Sequence, residues 1–341
     1  MDQQVTIVVV PRDRFSSLPA CIRSIVQHTS VPYRLMVLDL GYAAATLQEA
    51  RQAAGQQEME IVACPWTIPV VAFGGVLSRI DTPYVAWVDN DTYVSAGWME
   101  ALLDRAAQGA RVILPLTLER EGLDGDARQL PLRNHISHAE LRRVQVEGVE
   151  YVFDHKPYRR AAPEELPAEA HTVDFFELHT FFAESAVLRL LELPEMVVRE
   201  HIDIGIQLHR LDIPIWCEPR ARVHFDNIHE RPTRNDLKFF FYRWNEKLID
   251  QSHALFLQRW GYRFYNEQFL KNWAFRRKVF SVCRWLGLPS GPADFISRVL
   301  NKLCRPPLPA ALRENPLAQS ERVFAAPASA AAEVPSEIQG Q

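Results

Sequence analysis

The 341-residue chain lacks a long hydrophobic run, a paired-cysteine motif and an excess of positive charge. No apolar stretch approaches the roughly 20 residues that a membrane-spanning helix needs. The five cysteines are scattered without a Cys-x-x-Cys pair, and their odd number argues against a disulfide framework. A formal net charge of −4 disfavours a nucleic-acid partner. With no basic-then-apolar leader at the N-terminus, these absences predict a cytoplasmic protein with reduced cysteines.

The first third of the chain alternates short β-branched or aromatic runs with amphipathic segments. The runs predicted as strands are residues 5–10, 33–40, 60–64 and 84–88. Such alternation is typical of βαβ units and predicts an α/β fold with a mostly parallel sheet. In a sheet of this kind, ligands bind beyond the carboxyl ends of the strands.

Charged side chains follow the predicted strands at that edge of the sheet. They are Arg12, Asp13, Asp39, Asp89 and Asp91. Two carboxylates at positions i and i+2 after a buried strand are costly unless they are paired. Their oxygens suit Mg²⁺ or Mn²⁺, which in turn favours a substrate phosphate. The same acids would also suit a turn that caps the helix beginning near Trp98.

Composition divides the chain into a sheet domain, a helical region and a tail. The sheet domain is predicted over residues 1–227 and contains a polar, Pro-interrupted excursion at 119–171, with little sheet of its own. Aromatic helices are predicted over residues 228–305. Residues 306–341 are rich in Pro, Ala, Ser and Glu, which predicts a disordered tail.

Residues 271–305 are basic and aromatic. Their charged residues are Lys271, Arg276, Arg277, Lys278, Arg284, Arg298, Lys302 and Arg305, against Asp294. A basic, aromatic helix pair can lie on an anionic membrane surface, here the inner face. It can also form a cap whose aromatic side chains pack on the sheet domain, and we slightly favour the cap.

Five motifs follow one another in a fixed order between residues 5 and 226. They are the 5–10 strand with Pro11-Arg12-Asp13-Arg14, Asp39, Asp89-Asn90-Asp91 with Val94-x-x-Gly97-Trp98, Glu200-His201-Ile202-Asp203, and Arg222-Val223-His224. Their order and spacing resemble those of family 2 inverting glycosyltransferases with a GT-A fold. The resemblance implies a Rossmann-like sheet flanked by helices and a nucleotide-sugar donor. Residues 1–227 would then bind the donor and catalyse transfer, with 119–171 on the acceptor side.

The resemblance also implies roles for the residues that would hold the donor. Those on the nucleotide sugar would be Pro11, Arg12, Asp13, Asp39, Arg79, Asp89 and Asn90. Within this set, Asp39 would contact the uracil or ribose of a UDP-sugar. Asp91, supported by Asp89, would hold Mn²⁺ or Mg²⁺ on the diphosphate, and His224 would lie near that metal.

The catalytic base would come from the Glu200–Asp203 segment. The family commonly has Glu-Asp where this chain has Glu200 and His201, so Glu200, Asp203 and His201 are all candidates. We favour Glu200. Glu177 and His179 lie in an otherwise apolar run, so they either line the acceptor side of the cleft, as would His201, or form a structural pair.

Three functions compete on this evidence. The first is transfer of a hexose or N-acetylhexosamine to a glycan, lipid-linked or small-molecule acceptor, one sugar at a time. The second is a nucleotidyltransferase, which is disfavoured because the loop after the first strand has no glycine. The third is a degenerate transferase domain that serves as a nucleotide-sugar-binding or scaffolding module. The oligomeric state is not predicted.

Overall fold

A computed structural model describes residues 3–122, 130–228, 231–309, 312 and 316–324. Its strands are β1 (Val5–Val10), β2 (Tyr33–Asp39), β3 (Met59–Ala63), β4 (Tyr84–Asp89), β5 (Thr92–Val94), β6 (Val112–Gly122), β7 (Arg133–Ile136), β8 (Glu140–Val146), β9 (Val149–His155), β10 (His171–Val173), β11 (Thr180–Glu184), β12 (Ile215–Ile228), β13 (Arg263–Phe264) and β14 (Glu321–Arg322). Its helices are α1 (Leu18–His28), α2 (Ala44–Ala54), α3 (Pro69–Val76), α4 (Trp98–Ala107), α5 (Ser185–Leu188), α6 (Glu200–Arg210), α7 (Arg234–Arg243), α8 (Glu246–Trp260), α9 (Glu267–Trp285) and α10 (Ser290–Cys304).

The main sheet runs in the order β10-β12-β6-β11-β4-β1-β2-β3, with β5 paired to β12 and β7 to β6. The half formed by β3, β2, β1 and β4 is parallel, and the sheet is mixed beyond it. Every residue of β1 is buried, as its unbroken β-branched run requires of a central parallel strand. The predicted α/β fold, with a C-terminal helical extension, is confirmed.

The pairing of β1 with β4 brings two of the motifs together. Val10 lies opposite Asp89 in the parallel register, and the Asn90 amide donates to the Val10 carbonyl at 2.9 Å. The loop after β1 and the acidic turn after β4 therefore leave the sheet side by side. This is the edge at which the sequence predicts a ligand site.

The prediction of little sheet in residues 119–171 is wrong. Strands β8 and β9 form an antiparallel hairpin there, within a second sheet of order β13-β9-β8-β14. Glu147 and Gly148 at its turn both have positive φ, as a tight two-residue hairpin turn requires. The hairpin buries few positions on each strand, Leu141 and Val144 among them, so its pattern looks polar throughout.

Part of the predicted disordered tail is also ordered. Residues 316–324 form a short 3-10 turn and β14, which pairs with β8. Arg322 of β14 donates to Asp174 at 2.6 Å, and this ion pair fastens the segment to the sheet domain. Disorder is therefore a wrong prediction for 316–324. The predicted tail at 310–311, 313–315 and 325–341 lies outside the described residues.

The predicted helical region forms α7 to α10, and its first helix is tied to the loop after β1. Thr233 caps α7 by accepting from the amide of Asp236. Asp236 in turn accepts from the Ser16 amide at 2.9 Å and from its hydroxyl at 3.0 Å. Among the described helices, none is long and apolar enough to cross a membrane.

Helix α6 packs closely on the chain before β11, at Gly205. A Cβ at Gly205 would lie 2.8 Å from the Asp174 carbonyl oxygen and 2.8 Å from the Phe175 Cβ. Neither the backbone nor a Cβ can move away as the end of a long side chain could. Glycine at this position is therefore required by contact, and it keeps Glu200, one end of the same helix, against the sheet.

Gly205→Ala should lower the free energy of unfolding by about 1–3 kcal/mol through overpacking. The higher helix propensity of alanine, worth up to about 1 kcal/mol, should not offset this. Gly75→Ala in α3 is the matched control, because a Cβ there meets no atom within 4 Å. Urea denaturation of both variants measures the difference. Equal stabilities would contradict the close packing of α6.

Candidate functional site

A cleft of about 390 Å³ opens at the carboxyl edge of β1 and β4, between the sheet, the start of α6 and one side of α9. The predicted site residues that line it are Arg12, Asp13, Asp91, Glu177, His179, Glu200 and His201. Asp89 and Asn90 are fully buried beside them. The structure thus brings together the motifs that follow β1 and β4, the segment before β11 and the start of α6.

Asn90 holds the loop after β1 in place. Its side-chain oxygen accepts from the Arg12 amide at 2.6 Å, and its side-chain nitrogen donates to the Arg14 carbonyl at 2.7 Å. Both groups of the amide are satisfied by backbone, as a buried polar side chain requires. Asn90 therefore positions the loop, and its side chain is not part of the cleft lining.

Asp89, Asp91 and His179 form a compact group of candidate metal ligands. One ligand atom from each lies within 4.8 Å of the others. Asp89 Oδ2, Asp91 Oδ1 and His179 Nδ1 are buried, and Asp91 Oδ1 has no hydrogen-bond partner among the described residues. Asp89 Oδ2 lies 3.1 Å from Arg12 Nε and 3.5 Å from His179 Nδ1. Two carboxylates, one with an orphaned buried oxygen, and an imidazole fit a divalent cation such as Mn²⁺ or Mg²⁺.

The charges around this group shift two of its pKa values. Burial raises the pKa of Asp91, and the charge of Asp89 adds to this while Arg14 opposes it. Burial lowers the pKa of His179, but hydrogen bonding and attraction to Asp89 and Glu177 raise it overall to about 9. Without a metal, His179 is therefore an imidazolium between carboxylates.

His224, predicted to lie near the metal, does not join this group. Its ring packs against Tyr93, with ring centroids 5.3 Å apart. The next residue, Phe225, lines the cleft and stacks on His179 at 4.4 Å. Successive side chains on a strand point to opposite faces, so a shift of one residue separates the two positions. The histidine beside Asp89 and Asp91 is His179.

A polar network that sequence reasoning missed lies behind His179. Glu177 accepts from His135 Nε2 at 2.7 Å and pairs with Lys156 Nζ, and it lies 3.3 Å from His179 Nε2. His135 Nδ1 lies 3.0 Å from Glu119. Burial raises the pKa of Glu177, but Lys156 and His135 hold it well below its usual value. Only the folded chain reveals this network, because its members come from distant segments and nothing local marks His135 or Lys156.

Glu200 stands at the first position of α6 with only 3% of its surface exposed. Its Oε1 lies 3.5 Å from Arg12 Nη1, and its Oε2 is 3.9 Å from His201 Nδ1. Burial raises the pKa of Glu200, but His201 and Arg12 lower it to about 2. Glu200 therefore presents an ionised carboxylate to the cleft.

Asp203, the second predicted catalytic acid, points elsewhere. It is fully buried and accepts from Arg259 Nε at 2.7 Å, Trp260 Nε1 at 2.6 Å and Gln207 Nε2 at 2.6 Å. These contacts fasten α6 to α8, and Asp203 does not line the cleft. One turn of helix thus separates a cleft acid from a structural acid.

Four other residues predicted to bind the nucleotide sugar lie at different distances from the cleft. Asp39 accepts from the amides of Gly41 and Tyr42 at 2.8 Å each, which forms a tight turn after β2. Arg79 pairs with Glu60 and does not reach the cleft. Asp13 lines the cleft but accepts from Arg243 at 2.7 Å. Pro11 is buried at the end of β1. Donor contacts of Asp39 and Pro11 stay predictions.

Helix α9 supplies one wall of the cleft, which sequence reasoning did not predict. Phe269, Leu270, Trp273 and Arg277 line it from this helix. Trp273 also packs edge-on against Trp244, with centroids 4.7 Å apart. Burial lowers the pKa of Arg277 to about 10, which leaves it charged at neutral pH. The cleft therefore combines an acidic floor with an aromatic and cationic wall.

Comparison with known proteins finds a family match for the first half of the chain. Residues 6–166 match the model of Glycosyl transferase family 2. No curated protein matches the chain. A solved structure of S. aureus TarS 1-349 in complex with UDP-GlcNAc is 12% identical with a TM-score of 0.46, over 88% of this chain and 91% of that one. GalNAc-T7 with UDP, GalNAc and Mn²⁺ is 11% identical with a TM-score of 0.48, over 88% of this chain and 54% of that one.

The family match includes the loop after β1 and the Asp89-Asn90-Asp91 turn. It confirms the resemblance that the motifs predict and the α/β fold that goes with it. Residues 6–166 therefore match a glycosyl transferase family 2 domain, and this match supports a glycosyltransferase.

Proposed function

We propose that the protein transfers a sugar from a UDP-sugar to a hydroxyl group of a glycan, lipid-linked or small-molecule acceptor, with inversion and with a divalent cation. The observation that carries the proposal is one cleft shared by a candidate metal group and an ionised carboxylate. Asp89, Asp91 and His179 form the metal group. Arg12 lies between Asp89 and Glu200 and contacts both carboxylates. An inverting transfer needs both a stabilised leaving group and a base.

Asp91, Asp89 and His179 are the residues that would hold the cation. When bound, Mn²⁺ or Mg²⁺ stabilises the negative charge of a departing diphosphate. The cations of the cleft support the same task, because Arg12, Arg14 and Arg277 all line it. Guanidinium groups are suited to phosphate oxygens through paired hydrogen bonds.

Glu200 would accept the proton of the acceptor hydroxyl. Its carboxylate is ionised at neutral pH, and its Oε2 has no hydrogen-bond partner among the described residues. With a pKa of about 2, Glu200 is a weak base as long as Arg12 lies beside it. A donor diphosphate would compete for that guanidinium and so would raise the basicity of Glu200. His201, which also lines the cleft, is the second candidate.

Glu200→Gln should lower turnover by about 100-fold or more, the scale of general base catalysis, with UDP binding retained. UDP release measured over a panel of nucleotide sugars gives the rate and also identifies the donor. His201→Gln tests the second candidate in the same assay. Unchanged turnover in Glu200→Gln, with a large loss in His201→Gln, would reassign the base.

Asp203→Asn is the matched acid on the same helix, and it should affect folding rather than chemistry. Replacing one partner of a buried ion pair destabilises by about 3–5 kcal/mol. We expect a lower melting temperature and, below it, a kcat close to that of the wild type. A large kcat loss in a fully folded Asp203→Asn enzyme would contradict the structural role.

Asp91→Asn should abolish Mn²⁺ binding and Mn²⁺-dependent UDP binding, both measured by calorimetry. His179→Gln should weaken Mn²⁺ binding by at least roughly tenfold, the scale seen even for residues that orient ligands. His224→Gln is the matched control and should bind Mn²⁺ as the wild type does. Equal losses in the two histidine variants would contradict the assignment of His179.

The alternative function is a degenerate transferase domain that binds nucleotide sugars without turnover. Its supporting observation is His201 at the position where the family commonly has an acid, next to a Glu200 paired with Arg12. Wild-type protein that binds UDP but releases none from any donor in the panel would favour this alternative.

A further inference from the structure

The outer face of α10 exposes its large apolar side chains. Phe295 and Leu303 are 69% and 75% exposed, and Val299 between them is also exposed. Their spacing of four residues puts them on one face of the helix. The opposite face packs on α9 through small residues, Ser290 and Ala293 among them, which are fully buried.

This arrangement reverses the usual polarity of a surface helix. A helix at the surface of a globular protein normally buries its large apolar side chains and exposes its polar ones. Leu286, in the turn between α9 and α10, is also 63% exposed, and Trp285 before it is partly exposed. Several large apolar side chains exposed on one helical hairpin indicate an interaction surface.

The charges beside this surface indicate an anionic partner. Arg298 and Lys302 are one turn apart and flank the Phe295 face on one side. Arg298 pairs with Asp294 at 2.7 Å, whereas Lys302 has no ion pair within the described part of the chain. Asp294 is the only acid in residues 271–305, which carry eight Lys or Arg.

Two kinds of surface could cover such a face, and the charges distinguish them. A second copy of the chain, related by two-fold symmetry, would place the same basic face opposite itself, and like charges across an interface are unfavourable. An anionic lipid bilayer attracts the cations and accepts apolar side chains at its interface. An amphipathic helix with cations beside its apolar face is typical of membrane-surface binding.

We propose that α10 docks the protein on the surface of an anionic phospholipid bilayer. Phe295, Val299 and Leu303 enter the boundary between head groups and acyl chains, and Lys302 and Arg298 lie among the head groups. The helix lies in the plane of the interface, and no segment crosses the bilayer. Trp285 and Leu286 extend the contact, in line with the preference of tryptophan for this interface.

Docking through α10 would also place the cleft close to the bilayer surface. Helix α9 carries cleft-lining side chains at Leu270 and Trp273. Between them, Asn272 donates to the Pro306 carbonyl at 3.0 Å, just beyond the end of α10. The apolar face of α10 therefore ends near the cleft wall, beside which a lipid-linked acceptor would enter. The docking proposal does not depend on the proposed sugar transfer. Only the choice of a lipid-linked acceptor depends on that function.

The test is flotation of the full-length protein with vesicles, without a substrate. Wild-type protein should float with vesicles of phosphatidylcholine and phosphatidylglycerol, and much less with phosphatidylcholine alone or at high salt. The double variant Phe295→Ser, Leu303→Ser should bind the mixed vesicles roughly tenfold or more weakly, because two apolar anchors are removed. Leu190→Ser, at another side chain that is 60% exposed, is the control and should bind like the wild type.

Three results would overturn the proposal. Wild-type protein could fail to float with the mixed vesicles, or the double variant could float as well as the wild type. Sedimentation could also reveal a wild-type dimer that the double variant loses while neither protein binds vesicles. A circular dichroism melt of each variant verifies folding, and the single variant Leu303→Ser, with an intermediate loss expected, repeats the test with a smaller change.

Discussion

The guanidinium of Arg12 lies between two buried carboxylates, and the geometry of the site depends on this contact. Its Nε is 3.1 Å from Asp89 Oδ2, and its Nη1 is 3.5 Å from Glu200 Oε1. Buried carboxylates without a nearby cation would be strongly destabilising. Burial lowers the pKa of Arg12, but the two acids raise it above its usual value, so the cation is permanent. One side chain thus links the candidate metal group to the candidate base.

Arg12 is itself held by residues from distant parts of the chain. The register of β1 with β4 brings its loop beside Asn90, which binds the loop backbone on both sides. Two α7 residues complete the support, because Asp236 accepts from Ser16 and Arg243 donates to Asp13. Helix α7 lies outside the residues that match the family model. The C-terminal helices are therefore part of what positions the loop of the family domain.

The first four strands and the acidic turn were predictable because their signals are local: β-branched runs followed by charged residues. Glu200 was identified differently, through the family resemblance, which implies an acid in the segment from Glu200 to Asp203. The choice between His224 and His179 was not predictable, since it depends on which face of a strand meets the sheet edge. Asp203 was a second candidate for the base, and only its partners on α8 reveal its structural role. The β8–β9 hairpin was missed because its apolar positions are few and its partners lie far along the chain.

Net charge illustrates the same limit on a larger scale. The whole chain carries −4, but residues 271–305 carry eight cations and one Asp, or +7, so the remainder carries −4 − 7 = −11. A total of −4 disfavours general binding to polyanions, yet it averages over two regions of opposite sign. An anionic surface attracts the α9–α10 hairpin and repels the rest of the molecule. Such segregation sets an orientation as well as an affinity, and the orientation it favours turns the exposed face of α10 toward the surface.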